Sequence, residues 1–459
     1  MIKKILIANR GEIAVRIVRA CSEMRIKSVA IYTDADRHAL HVKKADESYN
    51  IGSDPVIGYL NAHNIVNLAV AAGCDALHPG YGFLSENPVL AEICAKRGIT
   101  FIGPSAKVIQ QMGDKIEARK AMIDAGIPVI PGSEHNLESV EEARELANKI
   151  GYPVMLKATN GGGGRGIRRC NSEAELIPNY DRVVSEASKA FGKPEVFLEK
   201  CVVNPKHIEV QIIGDSFGHA VHLFERDCSI QRRNQKVVEE TPSPLIENKF
   251  KKLRDKMGKA AVKIAEAANY TNAGTVEFLV DNHGNFFFLE MNKRIQVEHP
   301  ITEEVTGIDL VRYQIMLAMG ETLRHSQGDV QFKGHAIECR INAEDPFDDF
   351  RPSPGRIEMY YQPGGRGVRV DTHAYAGYTI PPTYDSMIGK LITYGKDRRE
   401  AMDKMSRALG EYMLTGVKTT ISFQQAILQD PNFRRGVYST NFVEQLLSGA
   451  RRELIEEKA

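Results

Sequence analysis

The sequence predicts a multi-domain α/β protein, α+β in part, with a doubly wound N-terminal domain and mixed α/β structure beyond it. Three observations carry that prediction. Short apolar runs alternate with amphipathic helical stretches from Lys4 to Ile102. Near the middle, two strand-like runs flank the turn Asn282-His283-Gly284-Asn285, and the second leads into alternating polar residues. The length, 459 residues, leaves room for roughly three domains and a sizeable core.

The N-terminal elements come first. Lys4–Ala8 is an apolar run followed by Asn9-Arg10-Gly11-Glu12, and Ile13, Val15, Ile17, Val18 and Cys21 then form a helical stripe. Ser28–Tyr32 reads as a second strand, so the chain opens with a βαβ unit. Its turn holds one glycine instead of G-x-G-x-x-G, which argues against a dinucleotide site. Asp75-Ala-Leu and Thr100-Phe-Ile continue the alternation. The loop His78–Asn87, with Tyr81 in it, is rich in polar and turn residues, a composition shared by active-site loops and purely structural ones.

Gly126–Gly132, with two prolines and two glycines, marks a boundary. Ser139–Ile150 is a helix with Ser139 and Glu142 as a capping box and Gly151 as its stop. Val154–Lys157 and Glu195–Lys200 read as strands, and His207–Ile213 alternates like a half-buried one. Between them lies Asn160-Gly161-Gly162-Gly163-Gly164-Arg165-Gly166. Its backbone N–H groups are free to wrap an anion, and without a G-K-[S/T] ending it is not a Walker A loop. The short spacing to Lys157 favours a mobile phosphate-covering flap over a plain linker. Gln231–Lys236 is a basic cluster of the kind usually found on a solvated face, and Lys251–Ala268 is an amphipathic helix. Asp309–Met319 is another helix, Ala336–Asn342 alternates with Glu338, Arg340 and Asn342 on one face, and the C-terminal segment is helical with a charged tail.

Composition narrows the function. Sixty basic and 59 acidic residues give a net charge of +1, with no global field for a nucleic acid, so any anion site must be built locally. The seven scattered cysteines lack C-x-x-C spacing, which points to a reducing cytoplasm and away from disulfides or zinc. No signal-peptide core or run of ~18 apolar residues is seen, so no membrane span is expected.

The chemistry centres on Phe286–Pro300. In an extended chain Glu290, Asn292, Arg294, Gln296 and Glu298 share one face, with Ile295 and Val297 on the other. A turn centred on His283-Gly284 sets Glu277 opposite Glu290. Two carboxylates at ~4 Å repel by roughly 1 kcal/mol in water and about 4 kcal/mol at an effective dielectric of 20, unless a divalent cation lies between them. Glu277, Glu290 and Asn292 therefore form an oxygen-rich Mg²⁺ (or Mn²⁺) set, and Lys115 and Lys157 are candidates to neutralise phosphate charge. Arg294 and Arg340 offer forks for a carbonate-like anion, with Glu298 as a general base.

These residues also resemble a known family. Glu290-Met-Asn-Lys-Arg-Ile-Gln-Val-Glu-His-Pro300 is similar to the signature of biotin carboxylases, within the ATP-grasp superfamily. Ile7–Ile13, His78–Asn87, Glu225–Ser229 and Tyr384–Ser386 resemble it as well, in order and from the first residues to about residue 446. The resemblance implies an ATP-grasp fold: a doubly wound pre-ATP-grasp domain over 1–113, a helical linker over 114–130, a mobile glycine-loop lid over 131–203 and a catalytic domain over 204–446. Within the last, the ATP-grasp core would end near 318 and a C-terminal part begin near 334, with a charged tail over 447–459.

It further implies ATP contacts at Lys115, Lys157, Gly163, Gly164, Glu199, Lys200, Cys201, Val202, His207, Gln231 and, on the adenosine side, Asn234; Tyr81 joins the binding set. Bicarbonate would meet Lys236, Arg294, Gln296 and Val297, with Glu298 as base and Arg340 near the biotin ureido group. The implied reaction joins ATP and bicarbonate into carboxyphosphate and carboxylates N1′ of biotin. No Ala-Met-Lys-Met-like biotin-attachment sequence is present, so biotin is expected on a separate carrier protein, with a carboxyltransferase partner and a homodimeric assembly. Three positions depart from the family: Lys293 for Thr, Asn234 for a His, and Thr383 for a Tyr. Alternation points Lys293 away from Asn292 and Arg294, with an effect on packing or charge. A carbamoyl-phosphate synthetase half or another carboxylating ligase would not be expected to carry Arg294, Gln296, Glu298 and His299 together. A non-catalytic nucleotide sensor would be expected to lack a metal carboxylate or Glu298.

Overall fold

The computed structural model describes residues 2–113, 115–159, 166–192 and 194–448. Gly163 and Gly164 of the predicted flap, the side chain of Lys115 and most of the predicted tail lie outside the described residues. Three main sheets organise the rest. The first is parallel, in the order β3-β2-β1-β4-β5, from β1 (Lys4–Ile7), β2 (Lys27–Tyr32), β3 (Glu47–Asn50), β4 (Ala76–His78) and β5 (Thr100–Phe101). Its inner strands β1, β2 and β4 are largely apolar and buried, whereas the edge strand β3 is polar and alternates in burial. The turn after β1 feeds the helix Gly11–Glu23, with Gly11 at φ +69° at its start.

A small antiparallel sheet holds β6 (Val154–Ala158) between β7 (Ile167–Cys170) and β8 (Val196–Lys200). The helix Val140–Ile150 packs against β8, capped by Ser139, whose Oγ accepts from the backbone of Glu142. The capping box is not reciprocal, because the Glu142 carboxylate accepts from the backbone of Glu138.

The third sheet is antiparallel and eight-stranded. It contains β9 (Lys206–Gly214), β10 (Ala220–Arg232), β11 (Gln235–Thr241), β12 (Asn272–Val280), β13 (Phe286–Asn292) and β14 (His335–Asn342) in the order β13-β12-β9-β10-β11-β14, extended by Met387–Gly395 and Val368–Thr372. β9 is buried on both faces, not half-buried as its alternation suggests. Its apolar side, Ile208, Val210 and Ile212, packs on the helix Lys251–Ala267, and its polar side, His207, Glu209 and Gln211, is sealed inside the site. Alternation marks two different environments, and here the second is a polar interior.

The hairpin of β12 and β13 places Glu277 opposite Glu290 as expected, by a different route. The loop Asp281–Asn285 closes with Gly284 at φ +83°, and pairing there is Val280 with Phe286, one residue out of the expected register. An irregularity between Glu277 and Phe278 restores it. The predicted continuous strand from Phe286 to Pro300 is not formed: β13 ends at Asn292, the chain bends at Lys293-Arg294, and the helix His299–Thr306 begins five residues later. Ile295 is buried in the core beneath the first sheet, whereas Val297 is half-buried and lines the cleft.

Candidate active site

A cleft of 1340 Å³ runs between the three sheets. Except for Glu298, which lies just beneath its wall, every candidate site residue whose side chain is described contributes to its lining, from Tyr81 at one side to Lys157 and Glu290 at the other.

The phosphate end takes one residue from each of several elements. Lys157 on β6 pairs with Glu199 on β8, so two predicted ATP contacts hold each other. Lys200 turns its ammonium to the carbonyls of Gly151 and Tyr152, at 2.8 and 2.9 Å, and lines the cleft together with Cys201 and Val202. Gln231 Nε2 donates to His207 Nδ1 at 2.6 Å, which fixes His207 Nε2 as the donor to Glu277 at 2.9 Å. Burial alone would lower the His207 pKa, but the Glu277 carboxylate outweighs it and the net shift is upward. Asn234 forms the tip of the β10–β11 hairpin with Arg233; both have positive φ, +65° and +49°, as a two-residue turn requires. Of the predicted metal set, Asn292 Nδ2 donates to Glu277 Oε1 at 2.8 Å, and Glu290 stands exposed at the cleft edge.

The other end is buried and fully ionic. The charge run around Lys236 reads as a solvated face, whereas the family resemblance sets Lys236 in the bicarbonate site; its ammonium meets Glu209 at 2.6 Å, Glu298 at 2.5 Å and Glu277 at 3.2 Å inside the cleft wall. The run divides because Arg233 sits on the exposed hairpin tip while Lys236, three residues on, points into the sheet face. Arg340 spans Glu239 at 2.6 Å and Glu298 at 3.0 Å. Glu298 has no solvent exposure; burial would raise its pKa, but Lys236, Arg340 and Arg226 hold it well below the usual carboxylate range. Glu277 is likewise held low by Lys236 and His207 against burial. Ligand atoms of His207, Glu209 and Glu277, and of Glu209, Cys228 and Glu298, also lie close together among the described residues, but the Lys236 ammonium already bridges their carboxylates.

Arg294 joins the two ends. It donates to Asn292 Oδ1 and Gln296 Oε1, both at 2.9 Å, and Gln296 passes its own amide to Glu277 at 2.9 Å. The polar side chains therefore converge although the backbone is bent. Lys293 does not point away from this group. With strand alternation ended, its ammonium reaches Glu86 at 3.3 Å, the same carboxylate that accepts from Arg294 Nε at 3.2 Å. Tyr81 donates to Glu12, which pairs with Lys390 at 3.2 Å, and Lys390 donates to the Val297 carbonyl at 2.6 Å. Thr383 is exposed on the cleft rim beside Tyr384, whose ring lies 3.8 Å from the Arg10 guanidinium.

Sequence reasoning missed Glu86, Glu209, Arg226 and Lys390. Glu209 and Gln211 had a signal, polar residues alternating through an apolar strand. Arg226 is fully buried and bound to Glu209 at 2.5 Å, within a motif noted only for its resemblance.

Comparison with known proteins fits this geometry. Family models match three consecutive segments: biotin carboxylase, N-terminal domain, over residues 1–109; carbamoyl-phosphate synthase L chain, ATP binding domain, over 114–326; and biotin carboxylase C-terminal domain over 338–445. A biotin carboxylase of Nostoc sp. is 55% identical over 444 residues, 96% of this chain and 99% of that protein. The chain belongs to the biotin carboxylase family. A pyruvate carboxylase subunit of Methanothermobacter thermautotrophicus is 54% identical over 455 residues, 99% of this chain and 92% of that one. The biotin carboxylase domain dimer of Hydrogenobacter thermophilus 2-oxoglutarate carboxylase, solved with MgADP, ADP and bicarbonate, superposes with a TM-score of 0.93 at 53% identity, covering 97% of this chain and 98% of that one. The fold is thus the ATP-grasp arrangement of biotin carboxylases, and the family's enzymes are ATP-dependent ligases.

Proposed function

We propose that this chain uses ATP to activate bicarbonate and carboxylates N1′ of biotin borne on a carrier protein, the first half-reaction of a biotin-dependent carboxylase. The observation that carries the reading is the Lys236–Glu298–Arg340 network lying one residue contact away from Glu277 along a single cleft. Bicarbonate is a poor electrophile until phosphorylated, and its proton must leave for it to attack the γ-phosphate. Glu298 takes that proton. Its ion pairs keep it ionised but weakly basic, so an entering anion that draws Lys236 or Arg340 to itself raises the basicity of Glu298 as the substrate arrives. Arg294, held between Asn292 and Gln296, orients the anion. Carboxyphosphate then releases its carboxyl group to biotin, the phosphate takes the N1′ proton, and Arg294 and Arg340 stabilise the enolate charge.

Lys115, Lys157, Gly163, Gly164, Glu199–Val202, His207, Gln231 and Asn234 are proposed to hold ATP, and Tyr81 to line the biotin side. The metal set is proposed as Glu277, Glu290 and Asn292. All three supply oxygen donors, and the Asn292 carbonyl now engaged by Arg294 is the atom to be released. A bound Mg²⁺ would neutralise phosphate charge. The division at 113, 130, 203 and 446 belongs to the same proposal, as do a homodimer and a carboxyltransferase partner. All seven cysteines are free, which supports a reducing compartment such as the cytoplasm. Among the described residues no helix is long and apolar enough to cross a membrane.

Acetyl-CoA is proposed as the final acceptor. Pyruvate is the second reading, favoured by the relation to a pyruvate carboxylase component. The test is transfer of labelled bicarbonate to carrier-borne biotin, followed by a chase with acetyl-CoA, pyruvate or 2-oxoglutarate in the presence of the carboxyltransferase. Label on biotin that moves to acetyl-CoA supports both parts. No labelled biotin refutes the first part, and movement to another acceptor refutes only the second.

A further inference from the structure

Beside the catalytic network lies a second pair of carboxyls that the reaction above leaves without a role. Glu239 on β11 and Glu338 on β14 are directly opposite in register, so their Cβ atoms stand about 5 Å apart on one sheet face. Neither residue has any solvent exposure. Glu239 Oε1 accepts from Arg340, but no donor among the described residues reaches Glu239 Oε2 or either oxygen of Glu338.

The surrounding charges are already committed. Arg340, two residues from Glu338 on the same strand, divides itself between Glu239 and Glu298. Lys390, on the next strand, is held by Glu12 and by the Val297 carbonyl. Lys236, from β11, serves Glu209, Glu277 and Glu298. On the N-terminal side, Tyr81 gives its hydroxyl to Glu12. Two ionised carboxylates facing each other here would be a buried charge excess held by a single hydrogen bond, from Arg340 to Glu239, whereas one proton between them turns the repulsion into an O–H···O bond.

We propose that Glu239 and Glu338 hold one proton between them, resident on Glu338, and that this pair positions Arg340 for the reaction. With the proton in place, the pair carries a single negative charge and Arg340 stays shared between Glu239 and Glu298. When the proton is lost, the doubled charge draws Arg340 towards Glu239 and away from Glu298 and the substrate. Burial pushes the Glu338 carboxyl well above its ordinary range, with Glu239 adding to the shift against Lys390, and burial raises Glu239 too, against Arg340. Both residues are thus positioning groups, and the device makes activity decline on the alkaline side.

The kinetic arm of the test rests on the function proposed above, and the spectroscopic arm does not. Infrared difference spectroscopy of the full chain at neutral pH is expected to show the C=O stretch of a protonated carboxyl that disappears in Glu338→Gln and persists in Glu239→Gln. In the unmodified protein the band should titrate away at alkaline pH in step with kcat for biotin-dependent ADP release. In Glu338→Gln, whose amide mimics the protonated acid, the alkaline decline in kcat should be abolished. A band that survives in Glu338→Gln, or that is lost in Glu239→Gln, overturns the proposal. So does an alkaline band titration in the unmodified protein that does not track kcat, which keeps the test decisive if Glu338→Gln fails to fold.

Discussion

The two ends of the cleft are built on opposite plans. At the phosphate end Lys157, Glu199, Cys201, Val202 and Glu290 come from several elements, and Glu290 stands exposed. At the other end Lys236, Glu298, Arg340, Glu209 and Arg226 are locked into a buried lattice of ion pairs. The first plan leaves room for a nucleotide and metal to complete the site. The second is complete before any ligand arrives, so its electrostatics are set by the fold. Substitutions at the two ends should therefore fail in different ways, with catalysis and stability falling together at the buried end and catalysis alone at the open end.

Lys236→Met should have the largest effect. It leaves Glu209, Glu277 and Glu298 sharing fewer cations in the interior, and removing one partner of a buried pair costs about 3–5 kcal/mol. Urea denaturation should show that loss, and ADP release should drop by ~10³-fold or more. An active Lys236→Met enzyme of normal stability would break the comparison at its buried end.

Glu290→Gln comes next. ADP release is expected to fall by ~10²-fold while stability stays within about 0.5 kcal/mol, because the side chain is exposed. Near-normal turnover would show that the facing carboxylates do not serve a metal.

Acid sensitivity sharpens the contrast. Glu298 and Glu277 are held well below their ordinary value of 4.5, so their stabilising contribution is complete above that value and is lost as pH falls beneath it. Denaturation followed from about pH 5 down to about pH 2 should show a falling stability whose slope is smaller in Lys236→Met, where the shifts shrink.

Glu86→Gln should act more weakly. It removes the carboxylate shared by Lys293 and Arg294, and the bicarbonate KM is expected to rise about tenfold with little change in kcat, since Arg294 keeps Asn292 and Gln296. Lys293→Thr, the smallest change, should move the same KM by less than about threefold. A larger effect from Lys293→Thr than from Glu86→Gln would reverse the order of dependence between the two.

The same contrast explains what was legible in the sequence. The open end rests on a local signal, a turn that dictates register, and the opposition of Glu277 and Glu290 followed from it. The register was reached only because a loop offset and a strand irregularity cancel, which turn chemistry alone does not reveal. The buried end rests on long-range packing. Glu86 reaches Arg294 across 208 positions and Lys390 reaches Val297 across 93, and no local pattern encodes such a contact. Lys236 was legible only through family resemblance, because a lysine in a basic run reads as solvated until the fold encloses it.

One cleft is proposed to couple ATP use to bicarbonate and biotin. Its most direct test is steady-state ADP release with MgATP, omitting bicarbonate and free biotin in turn and adding ammonia or glutamine in their place. The expected release requires bicarbonate and increases with biotin. Release indifferent to biotin, or dependent on ammonia or glutamine, would contradict it.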